Sequence, residues 1–64
     1  AVEVGQVWLF IETENKYTID SIGQLKHCDV WVDCVTYRSV VDGSFFTRTL
    51  SDFLAKFEYA GSER

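Results

Sequence analysis

The chain has 64 residues, 47% of them hydrophobic and 16% aromatic, with ten acidic against six basic side chains and a net charge of −4. A chain this short supports one hydrophobic core, burying only roughly 60% of its unfolded surface, so a single domain over residues 1–64 is expected, with an ordered core over about residues 4–59. The acids are scattered singly and the bases form no cluster, which disfavours nucleic acid as a partner, because phosphate binding draws on concentrated Lys and Arg.

From Val4 to Glu12 the residues Val7, Leu9 and Ile11 alternate with Gln6, Trp8 and Phe10, a period of two that predicts a first strand. Thr13-Glu14-Asn15-Lys16 supplies turn chemistry, and Tyr17 to Ile22 resumes the alternation up to Gly23, so the two segments read as an antiparallel hairpin. Gln24 to Asp29 is polar, contains the single histidine and reads as a loop. Val30 to Val41 is rich in Val, Thr, Trp and Tyr, which predicts a long strand. Asp42-Gly43 then favours a two-residue type I′ turn. That turn would pair Val41 with Ser44, Ser39 with Phe46 and Tyr37 with Arg48.

After this hairpin the period changes. Leu50, Phe53, Leu54 and Phe57 recur at i, i+3, i+4 and i+7, with Thr49 as N-cap and Asp52 in the first turn, predicting a short amphipathic helix that plugs one open end of a curled sheet. Gly61 to Arg64 are expected to fray. The fold class is therefore mainly β: a small, partly open antiparallel barrel of four to five strands with a short C-terminal helix.

Several motifs occur in an order that resembles a known family. They are Gly5-Gln6-Val7-Trp8, Tyr17-Thr18-Ile19, the loop residue His27, Val35-Thr36-Tyr37-Arg38, Phe46-Thr47-Arg48-Thr49-Leu50 and Phe53-Leu54-Ala55-Lys56. Their order and spacing over Gly5 to Glu58 resemble the domain-of-unknown-function 1653 family of small bacterial and phage proteins. Two features depart from that pattern: Thr49 stands where the family usually has Pro, and the segment Gly23 to Lys26 is slightly longer. The resemblance implies an SH3-like barrel of phage or prophage origin, and it implies no activity, since none is established for the family.

The chemistry-bearing residues are few. His27, Cys28 and Cys34 form a His-Cys-x5-Cys pattern whose spacing is poor for zinc, which favours closely spaced ligand pairs and four ligands. Two cysteines do not make a disulfide framework, and in a reducing compartment both stay thiols. Glu12 and Glu14 read as exposed turn acids. A phosphate loop, a serine elbow and an HExxH motif are all missing from the sequence. The expectation is a non-enzymatic protein with no cofactor. No basic-plus-apolar leader and no apolar run near the ~20 residues that cross a bilayer is present, so a cytoplasmic protein with no membrane partner is expected.

Alternation instead points to a binding face. Trp31, Asp33, Val35, Tyr37, Ser39 and Val41 share one side of the long strand, joined by Phe46 and Arg48 across the turn, while Val30, Val32, Cys34, Val40 and Phe45 make the other. The second set is the more uniformly apolar and is expected inward. This leaves Trp31, Asp33, Tyr37, Phe46 and Arg48 as an exposed platform of the kind that dominates binding hot spots. Two competing roles stand beside it: strands of a barrel bend, which would place Trp31 and Tyr37 in the core, and Arg48 could instead hold the helix start through Asp52. The leading function is a protein-binding accessory module whose partner is a host protein or a second copy. The alternative is a module that sequesters a nucleotide-like small ligand, with Arg48 or Arg38 on its phosphate or carboxylate.

Overall fold

The computed structural model describes residues 1–62. Five strands and one helix follow in the order β1 (Gln6–Phe10), β2 (Asn15–His27), β3 (Val30–Ser39), β4 (Phe45–Thr49), α1 (Leu50–Lys56) and β5 (Phe57–Ser62). All pairings are antiparallel, and the single sheet has the order β4-β3-β2-β1-β5, so the chain meanders through four strands before β5 returns to β1. This is an SH3-like, partly open barrel. Among the described residues the one helix is seven residues long, and no helix there is long and apolar enough to cross a membrane.

The aromatic face of the sheet turns inward. Trp8, Ile19, Val35, Tyr37, Phe53 and Phe57 form the buried cluster, with Val2, Phe10, Tyr17 and Leu50 packed against it. The expected sorting of β3 is thereby reversed: Val35 and Tyr37 are 0% and 3% exposed, while Val30, Val40 and Phe45 of the apolar set are all exposed and only Cys34 of that set is buried. The reason is volume. A single curled sheet capped by one short helix has few inward positions, so each must carry a large side chain, and aromatic rings bury roughly 150–250 Å² apiece. The same rule places Trp8 inside, with its indole N–H donating to Gln6 Oε1 at 3.1 Å, which satisfies the one polar atom that burial would otherwise strand.

The turns also redistribute. Asp42-Gly43 does not close a two-residue loop: Ser39 faces Ser44, and Val40 to Gly43 form a four-residue loop in which the Gly43 N–H donates to the Ser39 carbonyl at 3.0 Å. Side chains widen it, since Asp42 Oδ1 accepts from the Ser44 N–H at 2.9 Å and Ser39 Oγ accepts from the Val41 N–H at 3.2 Å. The ladder therefore pairs Tyr37 with Phe46 and Val35 with Arg48, a slip of two residues from the expected register. A slip of two leaves every side chain on its face. The β1–β2 loop has the same form, with the Glu14 N–H donating to the Phe10 carbonyl at 2.7 Å and a left-handed residue in fourth place, Glu14 at φ 63° where the other loop has Gly43 at φ 76°.

The tight two-residue turn lies elsewhere, at Cys28-Asp29, both at positive φ (51° and 61°) as a type I′ turn requires. Gln24 to His27 are accordingly strand, not loop, and pair with Asp33 to Val30. The Asp20 bulge between Ile19 and Ser21 bends β2, so its first half belongs to the barrel and its second half, with the start of β3, projects as a two-stranded arm. Every residue of β2 beyond Ile19 is exposed.

The expected helix ends one residue early, and the helix is not C-terminal. Thr49 Oγ1 accepts from the Asp52 N–H at 3.3 Å as the N-cap, Asp52 and Lys56 suit the two ends of the helix dipole, and Phe57 leaves the helix to open β5. Gly61 and Ser62 pair with Val7 and Gln6 rather than fraying, while Glu63 and Arg64 lie outside the described residues.

Two stability measurements check this packing. Phe53→Ala should cost about 3–5 kcal/mol in urea unfolding. That is comparable with the whole stability of a domain of this size, roughly 3–10 kcal/mol, so its cooperative transition should be largely lost at 25 °C. Glu14→Gly should raise stability by roughly 0.5–1 kcal/mol, because it removes a left-handed strain that exceeds the added unfolded-state entropy; an unchanged or lower midpoint would contradict the loop assignment.

Candidate functional site

The five residues singled out in the sequence do not form one platform. Tyr37 is buried and lies at the centre of a ring cluster, 5.2 Å from Tyr17, 5.8 Å from Phe46, 5.4 Å from Phe53 and 5.0 Å from Phe57. Phe46 stacks on its outer side and is exposed. Trp31 is 61% exposed, six residues along β3 from Tyr37, a distance of about 20 Å in extended chain. Asp33, also exposed on the arm, accepts from Gln24 Nε2 at 3.1 Å.

Arg48 takes the structural role. Its Nη1 donates to Asp52 Oδ2 at 2.6 Å and its Nε donates to the Tyr37 hydroxyl at 2.8 Å, while the guanidinium carbon stands 5.5 Å from the Phe10 ring and 5.8 Å from the Phe57 ring. This clamp ties β4, β3, β1 and β5 to the first turn of α1. Lys56 reaches the other Asp52 oxygen at 3.4 Å. The Asp52 hydrogen bond, followed by that of Tyr37, holds the Arg48 pKa above the usual arginine value, and the Arg48 hydrogen bond, aided by Lys56, holds Asp52 below the usual aspartate range. Its Nε and Nη1 are thereby engaged within the fold.

The geometry also separates the sulfur and imidazole groups. His27 and Cys28 stand at the arm's tip, whereas Cys34 is buried where β3 enters the barrel, opposite Gly23 and Thr49. Glu12 and Glu14 are exposed loop residues.

What the fold leaves open is the arm itself. Ile22, Leu25, Val30 and Trp31 are all exposed on it. Lys26 faces Trp31 across the ladder with its Nζ 6.0 Å from the ring, and Leu25 faces Val32 on the opposite side. Beside β3, where the arm leaves the barrel, Val32, Asp33, Leu50, Ser51 and Leu54 line a groove of about 300 Å³. Trp31 was legible as a surface anchor; Leu25 was not, because Gln24 to Asp29 reads as a loop when both faces of a hairpin are wet, and Val30 was expected inward with the alternate face of the long strand. No family model, curated protein or solved structure matches the chain, so the family resemblance rests on the motifs quoted above.

The Arg48–Asp52 pair has a pH signature. Because the folded pKa of Asp52 is depressed, its contribution to stability is complete above the unfolded aspartate value of about 3.9 and is lost as pH falls through the lower folded value. Urea midpoints measured from pH 6 to pH 2 should fall at the acid end, and Asp52→Asn should start lower and fall less steeply. Parallel acid limbs in the two proteins would remove Asp52 from the stability of the barrel.

Proposed function

We propose that the chain is a non-enzymatic protein-binding module whose docking element is the β2–β3 arm, and that its partner is a second copy of the same chain. The observation that carries this reading is an open strand edge beside an exposed tryptophan. In β3 the Ser39 N–H is donated toward β4 and the Val40 N–H, one residue on, toward β2. By alternation, Trp31 and Asp33 direct their backbone groups to the β4 side. β4 covers only Cys34 to Arg38, so this edge of the arm lies beyond it.

Antiparallel strand addition suits such an edge, since main-chain hydrogen bonds supply affinity and side-chain seats supply specificity. The groove beside Val32 and Asp33 is a seat for an apolar side chain of the added strand. A second copy offers the same edge, and a two-fold axis normal to the arm pairs the edges antiparallel with their matching faces continuous. Joining two arms would bury Trp31, Val30 and Val32, surface that a chain of 64 residues has no interior to cover. The family resemblance adds a phage or prophage setting in the cytoplasm, where Cys28 and Cys34 stay reduced. The alternative of a nucleotide-like ligand loses its main support, because Arg48 is committed to Asp52 and Tyr37.

Light scattering over a wide concentration range tests the reading. The mass should rise toward twice the 7.4 kDa of the chain, and Trp31→Ala should keep it at one chain while changing folding stability by no more than about 0.5 kcal/mol. A mass that stays at one chain up to millimolar concentration would reject self-association.

A further inference from the structure

A second concave surface lies at the other end of the barrel, between the β1–β2 and β3–β4 loops. Asn15, Tyr17, Ser39, Val41, Asp42 and Phe46 line a cleft of about 220 Å³. Three of these belong to the inward face of the sheet, because Tyr17 pairs with Ser39 and Phe46 pairs with Tyr37. Tyr17 and Phe46 stand edge to face, 6.1 Å apart at 84°, so their rings form two walls of a corner. The loop Val40–Gly43 brings Asp42 to the same corner. Its Oδ1 accepts from the Ser44 N–H, which fixes the carboxylate, and the amide together with the Ser44 and Ser39 hydroxyls keeps it ionised below the usual aspartate range.

We propose that this cleft receives the cationic side chain of a lysine or arginine presented by a partner protein. Two aromatic rings and one carboxylate lining the same cleft are the chemistry that binds a cation with an alkyl stem: the charge acts on the head, and the rings cover the methylenes. The charge balance agrees. Asp42 is the only charged residue among those lining the cleft, Glu12 and Glu14 belong to the neighbouring loop, and the chain carries a net charge of −4. The nearest cation on the same face of β4, Arg48, is held by Asp52, and Lys16 lies on the opposite face, paired with Leu9. Size narrows the class further. At ~30 Å³ per water molecule the cleft holds roughly seven waters, room for one side-chain head, and it falls below the ~300–1,000 Å³ of pockets that enclose a whole small-molecule ligand.

This inference goes beyond the arm and does not depend on it. It is tested by following the amide and ring resonances of Tyr17, Asp42 and Phe46 during titration with a Gly-Lys-Gly-Lys-Gly peptide, its arginine counterpart and its norleucine counterpart, each at two salt concentrations. The basic peptides should produce saturable shifts confined to this cleft and weakened by salt, and the norleucine peptide should produce none. Asp42→Asn keeps an oxygen for the Ser44 amide and should weaken binding at least tenfold; Phe46→Ala should weaken it comparably. Trp31→Ala should leave it unchanged. Equal shifts from the norleucine peptide, undiminished binding by Asp42→Asn, or equal binding of free 1,5-diaminopentane would each overturn the proposal, the last by showing that a small amine rather than a protein segment is the occupant.

Discussion

Tyr37 lies against four other rings, and its hydroxyl accepts from Arg48, which in turn grips Asp52 at the start of α1. Around this one side chain the two edges of the sheet come together. β4 reaches it through Phe46 and Arg48, and β5 through Phe57, although the two strands are not hydrogen-bonded to each other. An open sheet of five strands has no hydrogen-bonded closure, so its curvature must be held by side chains. Here those side chains are aromatic, with a guanidinium laid across the rim between Phe10 and Phe57. Arginine suits that position better than lysine would, because its flat head can lie against rings and still donate in two directions.

This constraint explains which parts of the fold were legible in the sequence. Alternation assigned residues to the correct faces of β1 and β3, and the cap at Thr49 and the Arg48–Asp52 contact were readable from spacing alone. What alternation could not supply was which face is inside. In a larger barrel the other face could fill the interior, but here Phe45 is left outside because the face of Val35 and Tyr37 fills it, while Val30 lies on the arm and Val40 in a loop. Phe57 hid β5 for a related reason: it completes the helical period of Leu50, Phe53 and Leu54 and also begins the strand pattern of Phe57 and Tyr59. A single residue satisfied both periods, and the extended backbone of Phe57, paired with Phe10 of β1, makes it strand.

The candidate sites were legible in pieces. Trp31 stood out by type, but the segment that presents it carries Gln24, Lys26 and His27 and so mimics a loop. An arm wet on both faces has no reason to alternate, and only the pairing of His27 with Val30 reveals it as strand. Tyr37 and Arg48 stood out for the same reason that hot-spot residues do, being large, polar-tipped and adjacent. Burial settles the role of Tyr37, since a ring that is 3% exposed meets the core, and Arg48 is tied to it and to Asp52.

The same division separates buried from exposed positions along β3. Val35 and Tyr37 are consumed by the interior, so substitutions there would change folding and binding together. Trp31, Val32 and Asp33 lie beyond the last residue that β4 covers, where a side chain can be changed with little effect on the core. The bulge at Asp20 makes that possible, because it bends β2 just after Ile19, the last of its residues that the core buries. Without it the second half of β2 would continue the barrel wall, and the hairpin beyond Ile22 would have no separate existence. Two strands extended past the core thus make the arm, whose residues beyond Ile19 on β2 are all exposed.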